Sequence, residues 1–189
     1  MKYFIISQPK SGTYLCSNLL VELGLHQTGM HCKGSGLYQK YDLNDPNAVT
    51  KTKQYTHRLD SFDAVLDTIP NNSFAVGHLK HNKKLVESLK SIKKILVIRP
   101  FEDFDEAAKR FKQDLNRNVS ASQEKYDRIK QWESEDDVFV ITFYDMINKN
   151  TKKINQLQKF LFNEVIYDSK IAITNALKND SLTKTNFRK

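Results

Sequence analysis

The chain has 189 residues, of which 39% are hydrophobic, 11% aromatic and 28% charged, with a formal net charge of +8 and a mean hydropathy of −0.59. This length suits one domain with a real core, and the balance excludes both a disordered chain and a membrane protein, because no apolar run approaches a membrane span or a signal-peptide core. The cationic excess implies attraction to anions, while the lysine pairs 83–84, 93–94 and 152–153 fit solvated faces rather than a nucleic-acid stripe, and the two cysteines, Cys16 and Cys32, have no metal-site spacing and read as free thiols. A cytoplasmic protein with no metal, no nucleic-acid partner and no membrane partner is the expectation.

Tyr3 to Ile6 read as a buried strand, followed by the turn Pro9-Lys10-Ser11-Gly12-Thr13 and a helix whose Leu15, Leu19, Leu20 and Leu23 recur at helical spacing up to Gly24. The segment from His26 to about Asp60 is rich in Gly, His, Lys and Tyr with weak periodicity, and reads as a long functional loop with short helical pieces. A helix over about Ser61 to Thr68, a turn at Pro70-Asn71-Asn72, a strand over Ser73 to His78 and a helix over His81 to Ser91 follow. Lys94 to Ile98 form the most apolar strand, stopped by Arg99-Pro100, with proline opening a helix to about Leu115. A polar loop over Asn116 to Gln123 leads to a helix ending near Trp132, a strand over Asp137 to Phe143, and a helix over Ile147 to Phe160. The alternation predicts an α/β three-layer sandwich: a mostly parallel central sheet, helices on both faces, and a P-loop-like strand-turn-helix at the N-terminus. Ligands of such sheets bind beyond the carboxyl ends of the strands, where the Pro9 to Thr13 turn, His78 and Arg99 are all expected.

The turn has the chemistry of a phosphate cradle. Gly12 permits a tight backbone, the amides before Tyr14 point at an anion on the positive end of a helix, and Lys10 adds a mobile charge. The usual nucleotide loop with Gly-Lys-Ser or Gly-Lys-Thr is absent, since here the lysine precedes the glycine. The plain alternative is a strand-to-helix turn with a surface lysine.

The order Pro9-Lys10-Ser11-Gly12-Thr13 closely resembles the 5′-phosphosulfate loop of the sulfotransferases that use 3′-phosphoadenosine 5′-phosphosulfate (PAPS), and the resemblance continues in order along nearly the whole chain. Arg99-Pro-Phe-Glu-Asp103 after a strand resembles the segment whose arginine binds the donor's 3′-phosphate, with Ala107 where the family usually has a serine. The guanidinium suits that task because its planar fork grips phosphate and keeps its charge, the plain alternative being an ion pair with Glu102 or Asp103. Val76-Gly77-His78-Leu79 resembles the family's Lys-Thr-His-Leu strand end, which implies His78 as catalytic base, with nearby His81 or a packed histidine as the alternatives. Phe143-Tyr144-Asp145-Met146 resembles Phe-Tyr-Glu-Asp-Met, whose tyrosine lies near the adenine; Phe143 or Tyr144 takes that place here. Leu15 stands where many members have a tryptophan, and Tyr14 where they have a second threonine. Asn186-Phe187-Arg188-Lys189 resembles the start of the family's Phe-Arg-Lys-Gly motif, which makes Arg188 and Lys189 either 3′-phosphate ligands or a frayed cationic tail.

The resemblance implies one sulfotransferase-like domain over residues 1–189, without the usual C-terminal donor-binding segment. It implies in-line transfer of a sulfuryl group from PAPS, with no metal, to a hydroxyl or amine of a small-molecule or glycan acceptor. Lys10 and His78 would be catalytic, and Pro9, Lys10, Ser11, Gly12, Thr13, Tyr14, Arg99, Arg188 and Lys189 would bind the donor. The rivals are an inactive nucleotide- or anionic-glycan-binding module on the same fold and, less well supported, a nucleoside kinase.

Overall fold

A computed structural model describes residues 1–41, 57–115 and 122–179. Their core is a seven-stranded sheet of order β4-β3-β2-β5-β1-β6-β7. The strands are β1 (Tyr3–Ser7), β2 (His26–Cys32), β3 (Leu37–Lys40), β4 (His57–Arg58), β5 (Ser73–Gly77), β6 (Lys93–Ile98) and β7 (Val138–Thr142). From β2 to β7 all pairings are parallel, whereas β3 and β4 run antiparallel at one edge.

Alternation along the central strands divides the core into two layers. Tyr3, Ile5, Val76, Ile95 and Val97 face α1 (Thr13–Glu22), α7 (Thr151–Phe162) and α8 (Ser169–Asn179), whereas Phe4, Ile6, Ala75 and Leu96 face α2 (Phe62–Asp67), α3 (Lys83–Ser88) and α5 (Gln123–Lys130). The two remaining helices, α4 (Phe101–Leu115) and α6 (Phe143–Ile147), start directly beyond β6 and β7. Strands apolar on both faces can only be central, and β1, with every residue buried, sits between β5 and β6. The three-layer α/β architecture is therefore the one expected.

Several elements differ from the sequence expectations. The segment expected to be a loop with helical pieces instead supplies β2, β3 and β4, and residues 42–56 between them lie outside the description. Its apolar pattern is weak because buried positions of β2 and β3 are occupied by His31 and Gln39, whose polar atoms are hydrogen-bonded internally. The helix expected over Ile147 to Phe160 begins only at Thr151, because Lys149 takes a left-handed φ of 53° and Asn150 caps α7 through the Lys153 amide. Phe143 opens α6 rather than closing β7, since Thr142 and Asp145 form a reciprocal capping box there. Helix α8, not anticipated, packs on α1 and is tied to it by Asn175 donating to Glu22.

The single tryptophan, Trp132, is fully buried in the second layer and donates its indole N–H to the Leu79 carbonyl at 2.9 Å, anchoring the 3-10 turn Gln131–Ser134 beneath the end of β5. Trp132→Ala is expected to cost about 3–5 kcal/mol through cavity formation and the orphaned carbonyl. Urea unfolding followed by circular dichroism checks it, and a loss under ~1 kcal/mol would show that the site collapses around the missing ring.

Candidate active site

Because β1 pairs in parallel with β5 and β6, with Ile6 level with Gly77 and Ser7 level with Val97, the chain leaves all three strands side by side. The turn after β1, His78 after β5 and Arg99 after β6 therefore share one rim. That is the juxtaposition the sequence led us to expect.

The turn is braced from inside. Ser11 is fully buried, and its hydroxyl lies 2.7 Å from the Gln8 carbonyl and 3.1 Å from the Val97 carbonyl, tying the turn to β6. Thr13 is also buried, with Oγ1 2.7 Å from Ser7 Oγ. With both hydroxyls turned inward, the turn offers an anion its backbone, the partly exposed Pro9 and Lys10, and the start of α1, which begins on Gly12 without a side-chain cap. Lys10 and Gly12 both adopt left-handed conformations, with φ of 65° and 95°. A Cβ at Gly12 would also stand 2.8 Å from the Phe143 ring, so the position requires glycine on two counts. Tyr14 directs its hydroxyl away from the turn, to His31 and Tyr41 at 3.1 Å each.

His78 is held by β1. Its Nδ1 lies 2.9 Å from the Ser7 carbonyl and 3.1 Å from Ser7 Oγ. A carbonyl only accepts, so Nδ1 carries the proton and Nε2 keeps its lone pair. Burial lowers the pKa to about 4, opposed by the Ser7 carbonyl bond and assisted by the nearby Lys10 ammonium. The imidazole is thus neutral at pH 7, with one basic nitrogen. His81 is differently engaged, with Nε2 2.7 Å from Glu135 and its ring edge-on to Trp132, as a structural side chain would be.

Arg99 places its guanidinium 4.5 Å from the centre of the Phe143 ring, and its amide donates to Gln8 Oε1 at 3.4 Å. Among the described residues it forms no ion pair with Glu102 or Asp103; the Asp103 carboxylate instead accepts from the Tyr144 hydroxyl at 2.5 Å. That contact is the largest cause raising the Tyr144 pKa. Arg99 Nε and Gln8 Nε2 are buried donors with no hydrogen-bond partner. A cavity of about 450 Å³ adjoins Arg99, lined by Phe101, Gln123, Tyr126, Asp127 and Lys130. Ala107 is buried on α4. Arg188 and Lys189 lie outside the described residues.

Sequence reasoning missed His31, Gln8 and the stacking role of Phe143. His31 is buried on β2, its ring edge-to-face with His78 at a centroid distance of 4.7 Å. Burial, with the neighbouring His78, lowers its pKa to about 3. Gln8 had a signal, as one of the first polar residues after the apolar run Tyr3 to Ile6.

No family model and no curated protein matches the chain. Among solved structures, it is similar to mouse sulfotransferase SULT7A1 complexed with PAP, at 17% identity and a TM-score of 0.59, over 98% of this chain and 66% of that one. It is also similar to retinol dehydratase in complex with androsterone and inactive cofactor PAP (12% identity, TM-score 0.56, 94% of this chain and 63% of that one) and to retinol dehydratase with retinol and PAP (13%, 0.58, 98% and 67%). The chain has a sulfotransferase fold and spans about two thirds of the length of these structures.

Two neutral histidines, His31 buried and His78 half-buried at the end of β5, make stability pH-dependent. Both folded pKa values lie below the ordinary 6.5, so between pH 6.5 and about 4 the unfolded chain binds more protons and stability rises with pH. Stability is fully present above pH 6.5 and is lost as the pH falls through that window, by on the order of 3 kcal/mol or more between pH 7 and pH 4. Urea unfolding at a series of pH values checks this, with His78→Asn expected to flatten the slope. A wild-type curve that is level from pH 7 to 5 would contradict the two neutral imidazoles.

Proposed function

We propose that the protein is a sulfotransferase that binds PAPS as donor substrate and transfers its sulfuryl group to a hydroxyl or amine of a small-molecule or glycan acceptor. The observation that carries this reading is the convergence of Lys10, His78 and Arg99 on one rim of a sulfotransferase fold. The orphaned Arg99 and Gln8 donors support an anionic ligand there.

Each residue has a task that follows from its chemistry. The backbone of the Pro9 to Thr13 turn and the start of α1 hold the 5′-phosphosulfate, and the Lys10 ammonium stabilises the negative charge that grows on the leaving phosphate as the bond to sulfur breaks. Ser11 and Thr13 act through the shape of the turn, their hydroxyls bracing it against β6 and β1. His78 Nε2 accepts the acceptor's proton while the acceptor oxygen or nitrogen attacks sulfur in line, and the Ser7 carbonyl stabilises the imidazolium through Nδ1–H. Arg99, oriented by Phe143, takes the donor's 3′-phosphate. A cytoplasmic setting, and Arg188 and Lys189 as further 3′-phosphate ligands, belong to this same reading.

Calorimetric titration with 3′-phosphoadenosine 5′-phosphate, against 5′-AMP, tests the donor site. Binding is expected to require the 3′-phosphate and to weaken at least tenfold in Arg99→Ala, the cost of a lost charge-assisted pair. Lys10→Met is expected to lower turnover by about 10²–10³. The pH profile should hold level from pH 8 to 6, with its acid limb near pH 4 rather than 6.5, because the base is neutral until then. Donor binding without transfer to any acceptor would assign the binding module instead, and equal affinity for 5′-AMP would leave only the architecture in common.

A further inference from the structure

The structure assigns a role to His31. Strand β2 reaches it through a bulge: between Gln27 and His31 it advances four residues while β5 advances two, from Phe74 to Val76. Gly29 makes the bulge with a left-handed φ of 71°, and its carbonyl accepts from the Tyr41 amide at 2.9 Å. Beyond the bulge, His31 is level with Val76 and Cys32 with Gly77, and a Cβ at Gly77 would stand 2.6 Å from the Cys32 carbonyl oxygen. A glycine directly before His78 is thus what lets β2 approach closely enough for the two imidazoles to meet.

A relay orients the His31 ring. Gln39 Oε1 only accepts, so the Tyr41 hydroxyl donates to it at 2.8 Å, and the Tyr14 hydroxyl in turn donates to Tyr41 at 3.1 Å. The Tyr14 oxygen is then left to accept from His31 Nδ1–H at 3.1 Å. These groups come from α1, β2 and β3, and the chain runs inward to the face of His78. Buried polar side chains cost free energy unless they are engaged, so a network that includes the buried His31, Gln39 and Tyr41 and the half-buried Tyr14 points to a task beyond packing.

We propose that His31 is the positioning residue for His78: held by Tyr14, Tyr41 and Gln39, it packs edge-to-face on His78 and fixes its ring plane, so that Nε2, left free by the Nδ1–H bond to Ser7, faces the acceptor. This rests on His78 being the base of the proposed transfer. Among the described residues, the titratable and polar groups that face His78 include Ser7 from β1, Lys10 from the turn and His31 from β2, and those that face His31 include His78, Tyr14 and Tyr41.

The test is nitrogen-resolved imidazole NMR of the ligand-free protein, with 3′-phosphoadenosine 5′-phosphate calorimetry and pH–rate profiles in parallel. The wild type is expected to show His78 as one neutral Nδ1–H tautomer from pH 8 to 5. In His31→Gln the His78 ring loses its fixed plane and its Nε2 resonance shifts, the titration midpoint moves up toward 6.5 as burial is relieved, and the acid limb of the rate profile moves with it. Turnover at pH 7 drops about tenfold while nucleotide affinity stays within about twofold, a base left in place but poorly aimed. His31→Phe keeps the ring contact and restores most of the turnover. A folded His31→Gln with an unaltered His78 spectrum overturns the proposal, as does a wild-type His78 found protonated on Nε2 or titrating near 6.5. If the wild type transfers no sulfuryl group, the functional reading fails, while the spectra still decide whether His31 fixes His78.

Discussion

Parallel pairing of β5, β1 and β6 is the constraint on which the rest of the site depends. Parallel strands bring every carboxyl end to the same edge, and β1 takes the middle place because both of its faces are apolar. Three hydrogen bonds then convert adjacency into fixed geometry: His78 on the Ser7 carbonyl, Ser11 on the Val97 carbonyl, and the Arg99 amide on Gln8. Each joins the end of β1 to a different neighbour or to the segment following it. The anion turn, the imidazole and the guanidinium are thereby referenced to one strand, so their separation does not depend on loops.

The electrostatics follow from that arrangement. Lys10, Arg99 and the start of α1 make one side of the rim cationic, which would draw a negatively charged ligand but would also oppose any further positive charge nearby. A histidine placed there stays neutral, because burial disfavours its charged form and Lys10 adds to the effect. The Ser7 carbonyl works in the opposite direction, since it favours the imidazolium. The result is a base poised well below pH 7 whose protonated form is nevertheless supported at the nitrogen away from the rim. A second neutral histidine, His31, can lie against it only because neither ring is charged.

Apolar runs made much of this legible from sequence. Tyr3 to Ile6 and Lys94 to Ile98 are continuous enough to be central strands, and the residues just beyond them were readable as rim residues. Buried polar networks hid the rest. Strand β2, with the sequence His-Gln-Thr-Gly-Met-His-Cys, has no period-two signal because its bulge shifts the register and its buried His31 is satisfied by a tyrosine hydroxyl rather than by apolar contact. The inward turn of Ser11 and Thr13 was equally hidden, since a hydroxyl in a phosphate turn has the same composition whether it contacts the anion or braces the loop. Helix α8 was missed because Ser169–Asn179 is only weakly amphipathic, its place on α1 being fixed by Ala172, Ile173 and Ala176.

Two of the departures from the family pattern, Ala107 and Phe143, lie on the helices that follow β6 and β7. Ala107 offers no hydroxyl where the resemblance implied a serine, and Phe143 stands at or next to the place of a tyrosine implied near the adenine. The Phe143 face lies 4.5 Å from the Arg99 guanidinium, and the same ring packs on Gly12 in the anion turn. One aromatic residue at the start of α6 therefore touches both proposed phosphate subsites. Tyr144 stands between the two charges, its hydroxyl donating to Asp103 and also engaging the Arg99 side chain. Stacking occupies the face of a guanidinium and leaves its edge to hydrogen-bond partners, of which Tyr144 is one, while Nε has none.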